Sequence, residues 1–154
     1  MTTLGWLLVV GPVLLLLYSY VGYPLVLTAL ARMGWRRPLP SSPAEWPYIS
    51  ITVPVYNEEG QIRGLLESLL NLDYPVEKRQ ILIVSDASTD STDDIVRSYA
   101  DRGIEFLRMP ARRGKTAGEN AAAPLLRGEI VVNTDASIRI YPNALEALIR
   151  VFSD

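Results

Sequence analysis

Two aspartates stand directly after apolar runs that have the character of buried strands. Asp86 follows the run 81–84 after one serine, and Asp135 follows the run 130–132 after two polar residues. Carboxylates at such positions can accept hydrogen bonds from a base or a ribose, or ligate a Mg²⁺ or Mn²⁺ that bridges a diphosphate. A lone aspartate at a strand end is as often a helix cap or a turn former, so each one alone leaves both interpretations open. Two at equivalent positions favour a ligand site.

A basic segment after the third apolar run is the second candidate for chemistry. If this segment reaches the same edge as the aspartates, its cations could neutralise a diphosphate leaving group. A basic loop is equally often a solvated surface, and that alternative stays open. The four residues are Arg108, Arg112, Arg113 and Lys115.

Composition excludes several classes of active site. The chain has 154 residues, a formal net charge of -2, no Cys and no His. Thiol nucleophiles, zinc knuckles and Ser-His-Asp catalysis are therefore excluded, and any metal must be a hard cation held by oxygen ligands. The near-neutral charge gives no indication of nucleic-acid binding.

Two common phosphate-binding motifs are absent from the sequence. The stretch 114–116 (GKT) is similar to the end of a P-loop, but Met109 stands where that motif requires its first glycine. No Gly-x-Gly-x-x-Gly follows the first apolar run, which argues against a dinucleotide-binding oxidoreductase.

The sequence predicts alternating strands and helices, which would position the aspartates and the basic segment. The hydrophobic periodicity predicts strands at 49–55, 81–84, 104–107 and 130–132, with helices at 62–70, 91–99, 116–126 and 142–152. Four such alternations are typical of a doubly wound parallel α/β sheet with right-handed crossovers. Because ligands bind such sheets outside the carboxyl ends of the strands, the pattern singles out the loops 54–58, 85–90 and 134–137.

The beginning of the chain is strongly apolar. No charged residue occurs from Leu4 to Ala31, and Trp6 and Trp35 bracket this stretch. A helix of that length is roughly 42 Å long at about 1.5 Å per residue, more than the ~30 Å hydrocarbon core. A secretory signal peptide is the competing interpretation, but the start lacks a basic region and a small-residue cleavage site. We predict one transmembrane helix.

Proline and arginine refine this prediction. Pro12 and Pro24 leave open a kinked or re-entrant path. Arg32, Arg36 and Arg37 follow the apolar stretch, whereas no Lys or Arg precedes it. The positive-inside rule therefore predicts a single-pass protein of the cell inner or plasma membrane with its following domain in the cytoplasm.

Three segments result from these patterns. Residues 1–34 form the membrane helix and its flank, and residues 35–48, rich in proline, form an extended linker. Residues 49–154 form one compact α/β domain.

Four motifs in their order and spacing resemble family 2 glycosyltransferases. They are 51–59 (ITVPVYNEE), 83–92 (IVSDASTDST), 114–116 (GKT) and 128–137 (GEIVVNTDAS). An apolar helix before the domain is similar to the membrane-embedded branch, which includes poly-N-acetylglucosamine, hyaluronan and cellulose synthases. The resemblance implies a GT-A (Rossmann-like) fold. It further implies inverting transfer from a nucleotide-diphosphate sugar, a UDP-sugar, to a glycan or lipid-linked acceptor in polysaccharide biosynthesis, with Mg²⁺ or Mn²⁺ as cofactor.

The resemblance also implies roles at matching positions for nucleotide-sugar binding. Pro54, Tyr56 and Glu58 would line the nucleoside pocket. Asp86 would contact the base, and Lys115 would lie near the diphosphate.

Asp135 would belong to the metal-binding Asp-x-Asp motif of the family and contact the donor there. Ser137 replaces the second acid of that motif, so a hydroxyl, which coordinates more weakly, would be the second metal ligand. The catalytic base and the acceptor-binding Gln-x-x-Arg-Trp segment of the family are expected beyond Asp154, and no residue of this chain is assigned as the base.

Two hypotheses about function follow. The first is the N-terminal, donor-binding portion of a glycosyltransferase. The alternative is a truncated, non-catalytic module or partner subunit that binds a nucleotide sugar without transferring it.

Overall fold

The computed structural model describes residues 3–34 and 45–152, which fall into an N-terminal helical unit and a C-terminal α/β unit. Of the linker predicted at 35–48, residues 35–44 lie outside the described residues, as do Trp35, Arg36 and Arg37.

The N-terminal unit is helical from Thr3 to Arg32. Helix α1 (Thr3–Leu17) passes through a π-helical turn (Tyr18–Gly22) into helix α2 (Tyr23–Arg32). Pro24 cannot donate a backbone hydrogen bond to the preceding turn, and the wider turn lies directly before it. The stretch Leu8–Arg32 has the length and apolar composition that a membrane span requires. Pro12 lies inside α1 without a break in the helix, and the π-helical turn precedes Pro24 only.

The α/β unit contains one sheet of four parallel strands in the order β3-β2-β1-β4. The strands are β1 (Ile49–Val55), β2 (Arg79–Ser85), β3 (Ile104–Arg108) and β4 (Ile130–Asn133). The helices between and after them are α3 (Ile62–Leu70), α4 (Thr92–Arg97), α5 (Lys115–Ala122) and α6 (Ala144–Phe152). The predicted doubly wound sheet is confirmed, with every strand and helix in its predicted order.

The helix boundaries differ from the prediction by a few residues. Helix α5 ends at Ala122 rather than at residue 126, and the chain continues as a 3-10 turn over Ala123–Leu125. Pro124 has no N–H with which to extend the α-helical ladder, which explains the change. Helix α6 begins at Ala144, two residues later than predicted.

Both faces of β1 and β2 are covered, which explains the continuous apolar run of β2. On one face, Ile51 and Val53 of β1 are fully buried in a core that includes Leu65 of α3 and Ile149 of α6. On the other face, residues of β2 such as Leu82 pack in a smaller core with residues of α5. The sheet is therefore a rigid support for the loops at its edges.

Gly128 is where the chain entering β4 passes closest to β1. A Cβ atom at this position would lie 2.6 Å from the Ile49 carbonyl carbon and 2.8 Å from the Ile130 oxygen. The Gly128 N–H also donates to Ser50 Oγ at 2.8 Å. Only a residue without a side chain fits here, because the neighbouring atoms belong to the backbone and cannot rotate away.

We expect Gly128→Ala to lower the free energy of unfolding by about 1–3 kcal/mol, the usual cost of an overpacked site. Chemical denaturation followed by circular dichroism measures this. Gly60→Ala is the matched control, since a Cβ there meets nothing within 4 Å. Equal midpoints for the two variants would contradict the prediction.

Candidate functional site

The loops that follow β1, β2 and β4 meet at the carboxyl edge of the sheet. Beside β1 the strand order reverses, because β2 lies on one side and β4 on the other. Such a reversal creates the crevice in which open α/β sheets bind ligands. A cavity of about 140 Å³ opens there, lined by Pro54, Val55, Tyr56, Asp86, Lys115 and Asp135.

Five of the six residues predicted to bind a nucleotide sugar line this cavity. Glu58 is the exception. Its N–H donates to Thr92 Oγ1 at 2.7 Å, and its carboxylate accepts from Gln61 Nε2 at 2.8 Å. Glu58 thus connects the loop after β1 to neighbouring elements.

A larger cavity of about 540 Å³ lies at the opposite edge, near Trp46, Lys78 and Glu129. It adjoins the amino ends of β1, β2 and β4 and contains none of the predicted site residues. Because ligands of such sheets bind at the carboxyl ends, we assign the site to the smaller cavity.

Asp86 is nearly buried, with 7% of its surface exposed. Its Oδ1 accepts the N–H of Arg113 at 2.7 Å, and its Oδ2 accepts the N–H of Gly114 at 2.8 Å. Gly114 has φ +85°, a conformation that glycine adopts without strain and that this turn requires. Asp86 therefore fits both interpretations of a strand-end aspartate, the turn former and the ligand-site residue. Its carboxylate fixes the turn before α5, and the same hydrogen bonds hold it in one orientation on the cavity wall.

Left-handed backbone occurs directly after two of the cavity residues. Asn57 has φ 53° and Ala87 has φ 59°, next to Tyr56 and Asp86 respectively. Such conformations cost about 1 kcal/mol or more at non-glycine residues and are concentrated at ligand sites. Only Asn57 was recognisable from its residue type, since asparagine tolerates this region better than alanine does.

The loops after β1 and β2 are hydrogen-bonded to each other. The N–H of Thr89 donates to Asn57 Oδ1 at 2.8 Å, and the N–H of Glu59 donates to Asp90 Oδ2 at 3.1 Å. Burial acts to raise the pKa of Asp90, but hydrogen bonds from Thr92 and Glu59 outweigh it and lower the pKa. These contacts fix the spacing between two walls of the cavity.

Lys115 and Asp135 form an ion pair across the cavity mouth. Lys115 Nζ lies 2.5 Å from Asp135 Oδ1, and half or more of each side chain is exposed. The hydrogen bond to Asp135 raises the pKa of Lys115, so this lysine stays protonated at neutral pH. Because exposed ion pairs contribute only about 0–1 kcal/mol, an incoming cation or anion can separate the two.

The predicted metal ligands, Asp135 and Ser137, are too few to hold a metal ion unless a substrate supplies further ligands. Asp135 and Ser137 are both exposed, and residues 3–34 and 45–152 contain no group of three or more acidic side chains that could hold a metal. Mg²⁺ commonly keeps several waters and binds through one or two carboxylates plus substrate phosphates. Asp135 lines the cavity, where one carboxylate beside a diphosphate would match that coordination, whereas Ser137 is not among the residues that line it.

The four cations of the basic segment have different contacts. The Arg112 guanidinium lies 3.8 Å from the centroid of the Tyr56 ring, on the cavity wall. Arg113 contributes its backbone N–H to Asp86. Arg108 is ion-paired with Asp93 at 2.6 Å. Of the four predicted cations, Lys115 lines the cavity and Arg112 covers one of its residues.

Comparison with known proteins identifies the family of this chain. The family model described as Glycosyl transferase family 2 matches residues 50–154. Beta-monoglucosyldiacylglycerol synthase from Nostoc sp. is 34% identical over 110 residues, which is 69% of this chain. The chain spans 24% of the length of that relative.

Two solved structures are similar over the sheet. The mannosyltransferase PcManGT from Pyrobaculum calidifontis, in complex with GDP-Man and Mn²⁺, has a TM-score of 0.74 and 30% identity, covering 92% of this chain and 43% of its own. TarS from S. aureus, in complex with UDP-GlcNAc, has a TM-score of 0.60 and 30% identity, covering 66% of this chain and 30% of its own.

Proposed function

This chain belongs to glycosyl transferase family 2, and from that premise we propose that the cavity between Asp86 and Asp135 is its donor site. The parallel sheet is that of GT-A glycosyltransferases, which bind nucleotide sugars. The chain spans only part of its relatives, so the complete transfer reaction, its donor and its acceptor are part of the proposal.

The convergence of five predicted residues on one cavity carries the proposal. Pro54 and Tyr56 supply apolar walls against which a base can stack. Asp86 supplies a carboxylate in a fixed orientation, with further lone pairs able to accept an N–H of a base. A uracil ring offers one such N–H between two carbonyl groups, so a UDP-sugar can meet this carboxylate.

The other side of the cavity suits the diphosphate. Lys115 supplies a positive charge, and Arg112 can supply a second one when a base replaces its guanidinium on Tyr56. Asp135 and Ser137 would hold a Mg²⁺ or Mn²⁺, which supplies charge neutralisation to the leaving diphosphate when bound. PcManGT is in complex with Mn²⁺, which supports this assignment. Asp135 must give up its ion pair with Lys115, which is then free to contact phosphate.

Sugar transfer with inversion also needs a base that deprotonates the acceptor hydroxyl. Neither cavity carboxylate is assigned to this work, because Asp86 holds two backbone N–H groups and Asp135 is the proposed metal ligand. This observation supports the second candidate function, a module that binds the nucleotide sugar without transferring it. The two functions are distinguished by incubating the chain with a UDP-sugar and a glycan or lipid-linked acceptor. A transferase releases UDP under these conditions, and a binding module does not.

We further propose that α1 and α2 cross the inner or plasma membrane once, with the α/β unit on the cytoplasmic side. The apolar stretch Leu8–Arg32 supports the crossing, and Arg32 at its end supports the orientation. The segments 1–34, 35–48 and 49–154 are then the span, the linker and the donor-binding domain.

Titration calorimetry of the chain in detergent tests the proposal. UDP and GDP are titrated with and without Mn²⁺, and we expect the tightest binding for UDP with Mn²⁺. Tighter binding of GDP would overturn the choice of base, and failure of both nucleotides to bind would overturn the donor site.

A further inference from the structure

A second carboxylate, which the proposed donor site does not use, is buried behind Asp86. Asp93 lies in the first turn of α4 and is only 6% exposed. Its Oδ1 accepts the Ser85 hydroxyl at 2.6 Å, and its Oδ2 accepts Arg108 Nε at 2.6 Å. An ionised group this deeply buried is costly unless it is paired and hydrogen-bonded, and both of its oxygens are.

The two partners of Asp93 are the last paired residues of neighbouring strands. Ser85 ends β2 and lies directly before Asp86, and Arg108 ends β3 opposite Ser85. The loops that form the site begin directly after Ser85 and Arg108. One carboxylate therefore joins the strand ends just before the sheet pairing stops.

Arg108 extends this connection into both loops. Its remaining nitrogens donate to the carbonyl of Ser88, in the loop after β2, and to the carbonyl of Met109, in the loop after β3, each at 3.3 Å. The second loop continues to the two N–H groups that Asp86 accepts. A guanidinium is suited to this role because its planar fork makes several bonds in fixed directions.

We propose that Asp93 and Arg108 are positioning residues of the donor site, which hold the ends of β2 and β3 at the spacing that lets Asp86 bind the N–H groups of Arg113 and Gly114. The inference rests on the proposed role of Asp86 toward the base. The neighbouring Asp94 offers a contrast, since its side chain forms an exposed ion pair with Arg97 on the same helix and has no hydrogen bond to either loop in the described part of the chain.

Hydrogen exchange of individual amides, measured by NMR on the full chain, tests the positioning without any nucleotide. Asp93→Asn keeps the shape of the side chain and removes its charge. We expect exchange at Arg113 and Gly114 to rise by about tenfold, as a local opening would give, with the amide of Val53 in the core unchanged. Asp94→Asn is the matched control and should change none of them. Equal acceleration at Val53, or no change at Arg113 and Gly114, would overturn the proposal.

Binding to two probes tests the consequence for the site. Asp93→Asn is expected to weaken UDP binding by about tenfold and inorganic diphosphate binding by a smaller factor, because both ligands meet Lys115 beside the loosened turn but only UDP has a base to meet Asp86. Equal losses for the two probes would overturn the positioning role. If the unmodified chain binds no UDP, the proposed function fails, and the exchange measurement still decides the positioning of Asp86.

Arg108→Lys keeps the inference testable if Asp93→Asn does not fold. Lysine preserves the charge beside Asp93 but cannot reach the carbonyls of Ser88 and Met109 with a planar fork. We expect faster exchange at Arg113 and Gly114 here too, and unchanged exchange would contradict the role of Arg108.

Discussion

Asp86→Ala is expected to lower the affinity for UDP by at least about 100-fold, or about 2.7 kcal/mol. The substitution removes the proposed acceptor for the base. It also releases the N–H groups of Arg113 and Gly114, so that the turn before α5 loses its anchor. Both effects act on the same ligand, which is why the expected loss exceeds that of a single hydrogen bond. Titration calorimetry with UDP and Mn²⁺ measures it.

Two further variants make this result interpretable. Asp86→Asn retains one carbonyl oxygen that can accept one of the two N–H groups, and an intermediate loss is expected. Asp101→Ala removes an exposed carboxylate from the 3-10 turn before β3, at the far edge of the sheet, and should leave UDP binding unchanged. Unchanged binding by a folded Asp86→Ala protein would show that this residue has only a structural role.

Asp135→Ala is expected to abolish the effect of Mn²⁺ on UDP binding. If the ion joins Asp135 to the diphosphate, the two ligands strengthen each other, and a coupling of about 2 kcal/mol corresponds to roughly 30-fold tighter UDP binding with Mn²⁺. Without the carboxylate, we expect UDP to bind with nearly the same affinity whether or not Mn²⁺ is present. The same calorimetric titration measures both conditions.

Glu119→Gln is the matched control for this experiment. Glu119 lies on α5 and acts electrostatically on Lys115, so its replacement removes a nearby negative charge without altering the proposed metal ligand. The Mn²⁺ effect should persist in this variant. If Asp135→Ala kept the full effect of Mn²⁺ on UDP binding, the ion would bind elsewhere on the protein or only to the nucleotide.

The strand-end aspartates were predictable because apolar runs end at them. A parallel sheet brings the carboxyl ends of its strands to one edge, so the positions of Asp86 and Asp135 in the chain sufficed to predict a shared cavity. The motif resemblance then added roles for Pro54 and Tyr56, which lie in a loop that the strand pattern had already singled out, and for Lys115 of the basic segment.

The pairing behind the site could not be predicted in the same way. Asp93 and Asp94 are adjacent acids, and which of them faces the sheet depends on the rotation of a short helix. Arg108 has the sequence context of a surface cation. Its contact with Asp93 joins residues 15 positions apart and depends on the packing of α4 against β3.

Close approaches between two backbone segments also could not be predicted from the sequence. Gly128 is one of 10 glycines in the chain, and nothing in its neighbours indicates that β1 passes within contact distance. By contrast, the early end of α5 has its signal in Pro124, which the predicted helix to residue 126 did not take into account.

A crystal structure of the chain with UDP and Mn²⁺ tests the central claim most directly. We expect the uracil ring to lie beside Tyr56 and Asp86. We also expect an anomalous peak for Mn²⁺ at coordination distance from the Asp135 carboxylate, with Lys115 turned toward phosphate. UDP bound instead in the cavity beside Trp46 and Lys78, or Mn²⁺ with no contact to Asp135, would contradict it.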